Sequence, residues 1–257
     1  MLLRSITKHV KDQNWFAVAL DFLIVVAGIL IAFQVTNWNE ARQNKVIANE
    51  YLFRIQNDLI LNQKDMEVRQ QYFETVKAHA LHAIEAIDGP PEALGQQFIS
   101  DSWFATFALR RTIVRESFEE LLSVGAMNNV TDVSARQRIA QYYRSTEGTQ
   151  FFLTNIPPYR ELLRGVLPYE VQAALRKAGC TGSYNMDAAG SPTAIIHNDC
   201  QLKLTDAQIS DAIEKLNTPE FRFALNIRLA DIDTKLLLIG TINNRAQNLY
   251  EYLEEVK

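Results

Sequence analysis

The sequence predicts an all-α protein: one N-terminal transmembrane helix running on into a long stalk helix, then an extracytoplasmic antiparallel helical bundle with one disulfide-closed loop. Three observations predict it. Phe16 to Thr36 is an apolar run of about 21 residues with one formal charge, long enough to cross a hydrocarbon core of roughly 30 Å. Asn39 to Ile87 contains no glycine or proline, and its apolar residues recur mostly at spacings of three, four or seven. Only two cysteines are present, Cys180 and Cys200, at the ends of a Gly/Ser/Asn/Asp-rich stretch. Closing a loop of that size stabilises a fold by roughly 3 kcal/mol in the chain-entropy model, and such a pair suits an oxidising compartment.

In chain order, residues 1–14 place Leu3, Ile6 and Val10 on one helical face and Arg4, Lys8 and Lys11 off it, which predicts an amphipathic segment on the cytoplasmic membrane surface. The span is expected over 15–38, with Trp15 and Trp38 at its boundaries, because indole rings favour the headgroup region. The run is longer than a signal-peptide core and lacks a small-x-small end, so it reads as an uncleaved anchor. Arg4, Lys8 and Lys11 before the span, against Arg42, Lys45 and the more distant Arg54 after it, favour a cytoplasmic N-terminus. Residues 39–257 are then a periplasmic domain if the host is bacterial.

The stalk stripe is read as Ile47, Tyr51, Ile55, Leu59, Met66, Phe73, Ala80, Ile84 and Ile87, ended by Gly89-Pro90-Pro91. Helices are expected at 93–111 with a break near Ser100, at 115–124 with Gly125 as left-handed cap, at 132–155, 159–165 and 168–178. The cysteine loop is the one candidate for irregular or short β structure. Thr205-Asp-Ala-Gln208 has capping-box form and starts a helix to about Leu216, and Thr218-Pro219 starts a last long one. Its stripe is read as Phe223, Ile227, Leu229, Ile232, Leu236, Ile239, Ile242, Leu249 and Leu253, long enough to pack antiparallel on the stalk.

Composition narrows the function classes. The 26 Lys and Arg nearly balance the 30 Asp and Glu, without a basic tract, so no nucleic-acid partner is expected. No second apolar run reaches spanning length, which argues against a polytopic transporter.

Asp21, Gly28-Ile-Leu-Ile-Ala32, Gln34 and Asn37-Trp-Asn-Glu40 together resemble the N-terminal signature of a widespread family of bacterial single-pass membrane proteins of unknown function, in which an acidic residue and six apolar residues precede G-I-L-I-A-x-Q-x-x-N-W-N-E. Val35 and Thr36 depart from the residues expected between Gln34 and Asn37. Ser117 to Gly125 and Ala135 to Tyr143 are similar to a family helix ending in S-x-G and a later helix ending in a tyrosine pair. The resemblance implies topology and a shared membrane motif, and brings no activity with it.

Within the span, Asp21, Gly28 and Val35 fall on one face, and Gly28-x-x-x-Ala32 is a small-xxx-small pattern. Asp21, Gly28, Ala32 and Val35 are therefore the expected membrane helix-helix interface. An acidic residue near the inner end of a lone span, with a periplasmic domain, also describes ion-driven stator proteins of the flagellar-motor and Tol/Ton type. The plainer reading of Asp21 is a boundary residue that snorkels, stays protonated or bonds across a helix pair.

His79, His82 and Glu85 share a helix face and offer two or three ligands to a metal, though a solvated face reads the same way. His197, Asp199 and Cys200 are adjacent, but a disulfide-bound cysteine is no nucleophile. Trp103, Phe104, Phe107, Tyr142, Tyr143, Phe151, Phe152 and Tyr159 are expected mainly in the core, with a groove for a ligand or partner helix as the alternative. No phosphate loop, nucleophile elbow or metalloprotease motif occurs. The expected function is a non-enzymatic inner-membrane accessory or scaffold protein without cofactor, whose partners are the lipid bilayer and either a membrane or periplasmic protein or a second copy. The alternatives are a stator-like subunit using Asp21 and a periplasmic small-molecule sensor.

Overall fold

A computed structural model describes residues 15–188 and 191–256, with the backbone alone for 15–18 and Asp21. The expected surface segment at 1–14 and the side chains of Trp15 and Asp21 lie outside the described residues. Helix makes up 77% of the structure, in line with the predicted class, and one two-stranded hairpin is added to it.

Helix α1 runs unbroken from Trp15 to Asp88 and stops where Gly89-Pro90-Pro91 removes the next donors. A 3-10 turn at Pro91–Ala93 leads into α2, Gln96–Phe104. Helix α3 is Glu116–Ser123, and Gly125 follows it at φ 70°, the left-handed position expected of it. A 3-10 turn at Ala126–Asn129 precedes α4, Val133–Thr154, where the Asp132 carboxylate accepts from the Ala135 amide. Helices α5, Pro158–Val166, and α6, Tyr169–Lys177, come next. Strands β1, Gly182–Met186, and β2, Pro192–Ile196, pair antiparallel, with Gly182 opposite Ile196 and Met186 opposite Pro192. Helix α7, Asp206–Leu216, carries the Thr205/Gln208 capping box, and α8, Pro219–Glu255, is capped by Thr218.

The two long helices pack antiparallel. Arg222 pairs with Asp88, Asp233 with Lys77, Gln247 with Gln63 and Glu254 with Gln56, so equal intervals on the two helices stay matched from end to end. Each contributes a seam at alternating spacings of four and three. On α1 it is Ala48, Leu52, Ile55, Leu59, Asn62, Met66, Arg69, Phe73, Val76, Ala80 and Ala83; on α8 it is Phe221, Leu225, Arg228, Ile232, Lys235, Ile239, Ile242, Ala246, Leu249 and Leu253. This is the spacing of a coiled-coil seam.

The stripes read from sequence differ from these in places. Phe223 (66% exposed) and Ile227 (51%) face away from α1, and Ile47 is exposed beside buried Ala48. The seam keeps its spacing by accepting Arg228 and Lys235, which an apolar reading steps over.

The apolar contacts form two clusters. One joins α1 from Ala48 to Leu59 with α3, α4 and the end of α8; the other joins α1 from Met66 to Ala83 with α2, α5, α6, α7 and the start of α8. Between α2 and α3, residues 105–115 are irregular, which corrects the expected helix at 93–111; Ser100 sits inside an unbroken helix. The reason is that side chains of the long helices take the backbone groups of this segment. Arg228 donates to the Ala105 carbonyl at 2.9 Å and the Phe107 carbonyl at 2.6 Å, and Arg69 to the Arg111 carbonyl at 2.8 Å. Asn62 grips Val114 by both N–H (2.8 Å) and C=O (2.9 Å), and Asp58 accepts from the Ser117 amide. Buried backbone must be paired, and here side chains replace a helix ladder.

Candidate functional site

From Phe22 to Ile47 helix α1 has no fully buried residue, its first hydrogen bond to another described element is at Asn44, which accepts from Asn129 of the 3-10 turn at 3.3 Å, and α1 is long and apolar enough there to cross a membrane. Gly28, Ala32, Val35 and Trp38 are all exposed. A Cβ built on Gly28 meets nothing within 4 Å, so the small residue is not required by packing within this chain. Thr36 returns its hydroxyl to the Ala32 carbonyl at 3.0 Å, the usual way such a side chain hides its polarity on a helix.

The sequence pairs His79 and His82 with Glu85; the fold brings Asp101 of α2 to the two histidines instead. One ligand atom from each of His79, His82 and Asp101 lies within 4.8 Å of the others. His79 Nδ1 is 2.6 Å from Asp101 Oδ1, which also accepts from Gln97 Nε2 at 3.2 Å, and the His79 ring stacks on Phe104. His79 Nε2 is buried without a partner among the described residues. Two imidazoles and a carboxylate suit a divalent cation with open positions, one ligand short of a closed structural zinc site. Asp101 is invisible to a local-spacing search because it comes from a separate helix.

The buried ionic groups of the seam were missed from sequence altogether. Arg69 Nε donates to Asp65 Oδ2 at 2.8 Å, Arg228 binds Asp231, and Lys235 Nζ donates to the Asn155 carbonyl at 3.0 Å and sits 3.7 Å from Asp231. Burial pushes the Arg228 and Lys235 pKa values down, and the Asp231 charge partly restores them. The available signal was periodic: charge at positions where the four-three spacing demands a buried residue.

Cys180 and Cys200 form the expected disulfide at the foot of the hairpin. The Trp103 indole donates to the Cys180 carbonyl at 2.9 Å, fixing the bridge to α2. His197 Nε2 is 3.3 Å from Ser183 Oγ across the strands. Of the aromatics singled out, Trp103, Phe104, Phe107, Tyr142, Tyr143 and Tyr159 are buried, while Phe151 and Phe152 are exposed. They do not line one apolar groove: Trp103 and Phe107 border one cleft, and Tyr142 another. Comparison with protein-family models, characterised proteins and solved structures finds no match to this chain.

Proposed function

We propose that this chain is a non-enzymatic, single-pass membrane accessory or scaffold protein, with residues 15–38 in the bilayer, 1–14 in the cytoplasm and 39–257 in the periplasm. The observation that carries the reading is the apolar start of α1: Phe22, Leu23, Ile24, Val25, Ile29 and Leu30 stand exposed, with no element among the described residues to cover them. In water such a surface demands a cover, and a bilayer supplies one of matching length. The disulfide supports an oxidising compartment for the remainder, and the motif from Asp21 to Glu40 resembles that of bacterial single-pass proteins.

Gly28, Ala32 and Val35 form the face that meets a second transmembrane helix, since small residues let backbones approach closely where no hydrophobic force drives association. The test places a photo-crosslinking residue at Val35 and, on the opposite face, at Leu30, in native membranes. The expected result is an adduct from position 35, lost on Gly28→Leu, and none from position 30. Extraction of the chain into the soluble fraction by alkaline carbonate would refute the anchor, and equal adducts from both positions would refute the face.

A further inference from the structure

Three arginines converge on one cleft. Arg160 and Arg164 of α5 and Arg176 of α6 line a cavity of about 300 Å³ with Tyr72, Trp103 and Phe107. Among the described residues no carboxylate lines it and none of the three arginines makes an ion pair. That differs from Arg115, which pairs with Glu119 four residues on. Arg160 and Arg164 are instead a like-charge pair at that spacing, an arrangement that costs stability. The Arg160 charge is disfavoured first by burial and then by Arg164 and, more weakly, Arg110, while Tyr72 favours it.

The aromatic wall adds a second, independent sign of a ligand. Tyr72 is 94% buried, and its hydroxyl makes no hydrogen bond among the described residues. Burial holds the phenol protonated, its pKa pushed up to about 12, so it remains an O–H donor. Arg164 lies over the Trp103 ring, its guanidinium carbon 5.7 Å from the centroid, which fixes the fork against the cleft wall. Gly182 closes the cleft: a Cβ there would meet Tyr72 Oη at 3.0 Å and the Phe107 ring at 3.1 Å.

We infer that this cleft binds a small organic anion, a carboxylate or phosphate monoester carrying one flat apolar group. Guanidinium forks match both head groups in bidentate fashion, and the Tyr72 hydroxyl adds a neutral donor. Trp103 and Phe107 take the apolar body, as in pockets where a few polar groups orient a ligand against aromatic walls. A headgroup of the anchoring bilayer is out of reach, because Tyr72 lies roughly 50 Å along α1 from Trp38 at 1.5 Å per residue. The inference is independent of the membrane reading.

The test uses the full chain in non-ionic detergent at low chloride, with calorimetry and thermal melting against phenyl phosphate, benzoate and inorganic phosphate. Phenyl phosphate or benzoate is expected to bind saturably and raise the melting temperature, more than inorganic phosphate does; the tighter of the two identifies the head group. Arg160→Gln should weaken binding about tenfold or more, the loss of one charged hydrogen bond, and Arg160→Lys should restore part of it. Without ligand, Arg160→Gln should melt at or above the parent, because it removes a repelled and half-buried charge; this separates lost binding from lost folding. Binding unchanged in Arg160→Gln and Arg176→Gln, or no binding of any of the three probes, would overturn the assignment. So would saturable binding of a glutamate-rich peptide in place of the small anions.

Discussion

Lys235 and Arg228 occupy equivalent seam positions on α8, yet their surroundings assign them opposite consequences. The Lys235 ammonium bonds the carbonyl of Asn155, an exposed residue at the surface end of α4, in a bond that is only partly buried. Lys235→Met should therefore leave stability at neutral pH unchanged or raised, as for other buried ions replaced by apolar groups of similar volume. The pH dependence follows from the depressed folded pKa. Below the ordinary value of 10.5 the unfolded chain holds the lysine proton more tightly, so the parent protein gains stability as pH rises through that window. Urea unfolding at pH 7 and pH 10 should show the parent gaining on the methionine variant; a pH-independent difference would refute it. Arg228 serves the carbonyls of Ala105 and Phe107, both buried. Arg228→Met strands them, at an expected cost of about 3–5 kcal/mol in urea unfolding at pH 7, and a cost within experimental error would show that residues 105–107 find other donors. Neither role was legible in the sequence. A charge inside a repeat of apolar residues looks like the end of the stripe, and the receiving carbonyls lie far away in the chain.

The elements themselves were legible wherever their cause is local. Thr205 with Gln208, Thr218 with Pro219, Gly125, and the Gly89-Pro90-Pro91 stop each act within one turn, and each bounds an element as read. The segment 105–115 was not legible, since Phe107, Leu109 and Ile113 are as apolar as helix residues and only tertiary donors keep them irregular. The candidate sites divide the same way. The spacings of His79 to His82 and of Arg160 to Arg164 are visible in the chain, whereas Asp101, Arg176 and Tyr72 join them only through folding. The hairpin carries its own prediction. Replacing Cys180 and Cys200 by serine removes a cross-link over a short loop and should cost about 3 kcal/mol. Because Trp103 bonds the Cys180 carbonyl and Cys180 borders the arginine cleft, the anion-induced rise in melting temperature should shrink as well. Retention of the full ligand shift in the double serine variant would uncouple the hairpin from the cleft.

At the scale of the whole molecule, α1 is the common wall of both apolar clusters, and α8 is matched to it throughout. Asn62 and Arg69 of α1 and Arg228 of α8 make that match specific: all three bond carbonyls of the one segment 105–115, so sliding one helix along the other would pull that segment away from one set of its donors. Nothing between Asn39 and Asp88 offers a hinge, for the helix contains neither glycine nor proline there and its hydrogen-bond ladder is continuous. The mechanical consequence is leverage. Pivoting near Trp38, a rigid rod of this length turns a tilt of about 10° at its apolar end into a sideways sweep of roughly 13 Å at Asp88, so a small reorientation at one extremity arrives at the other as a displacement larger than the width of a helix.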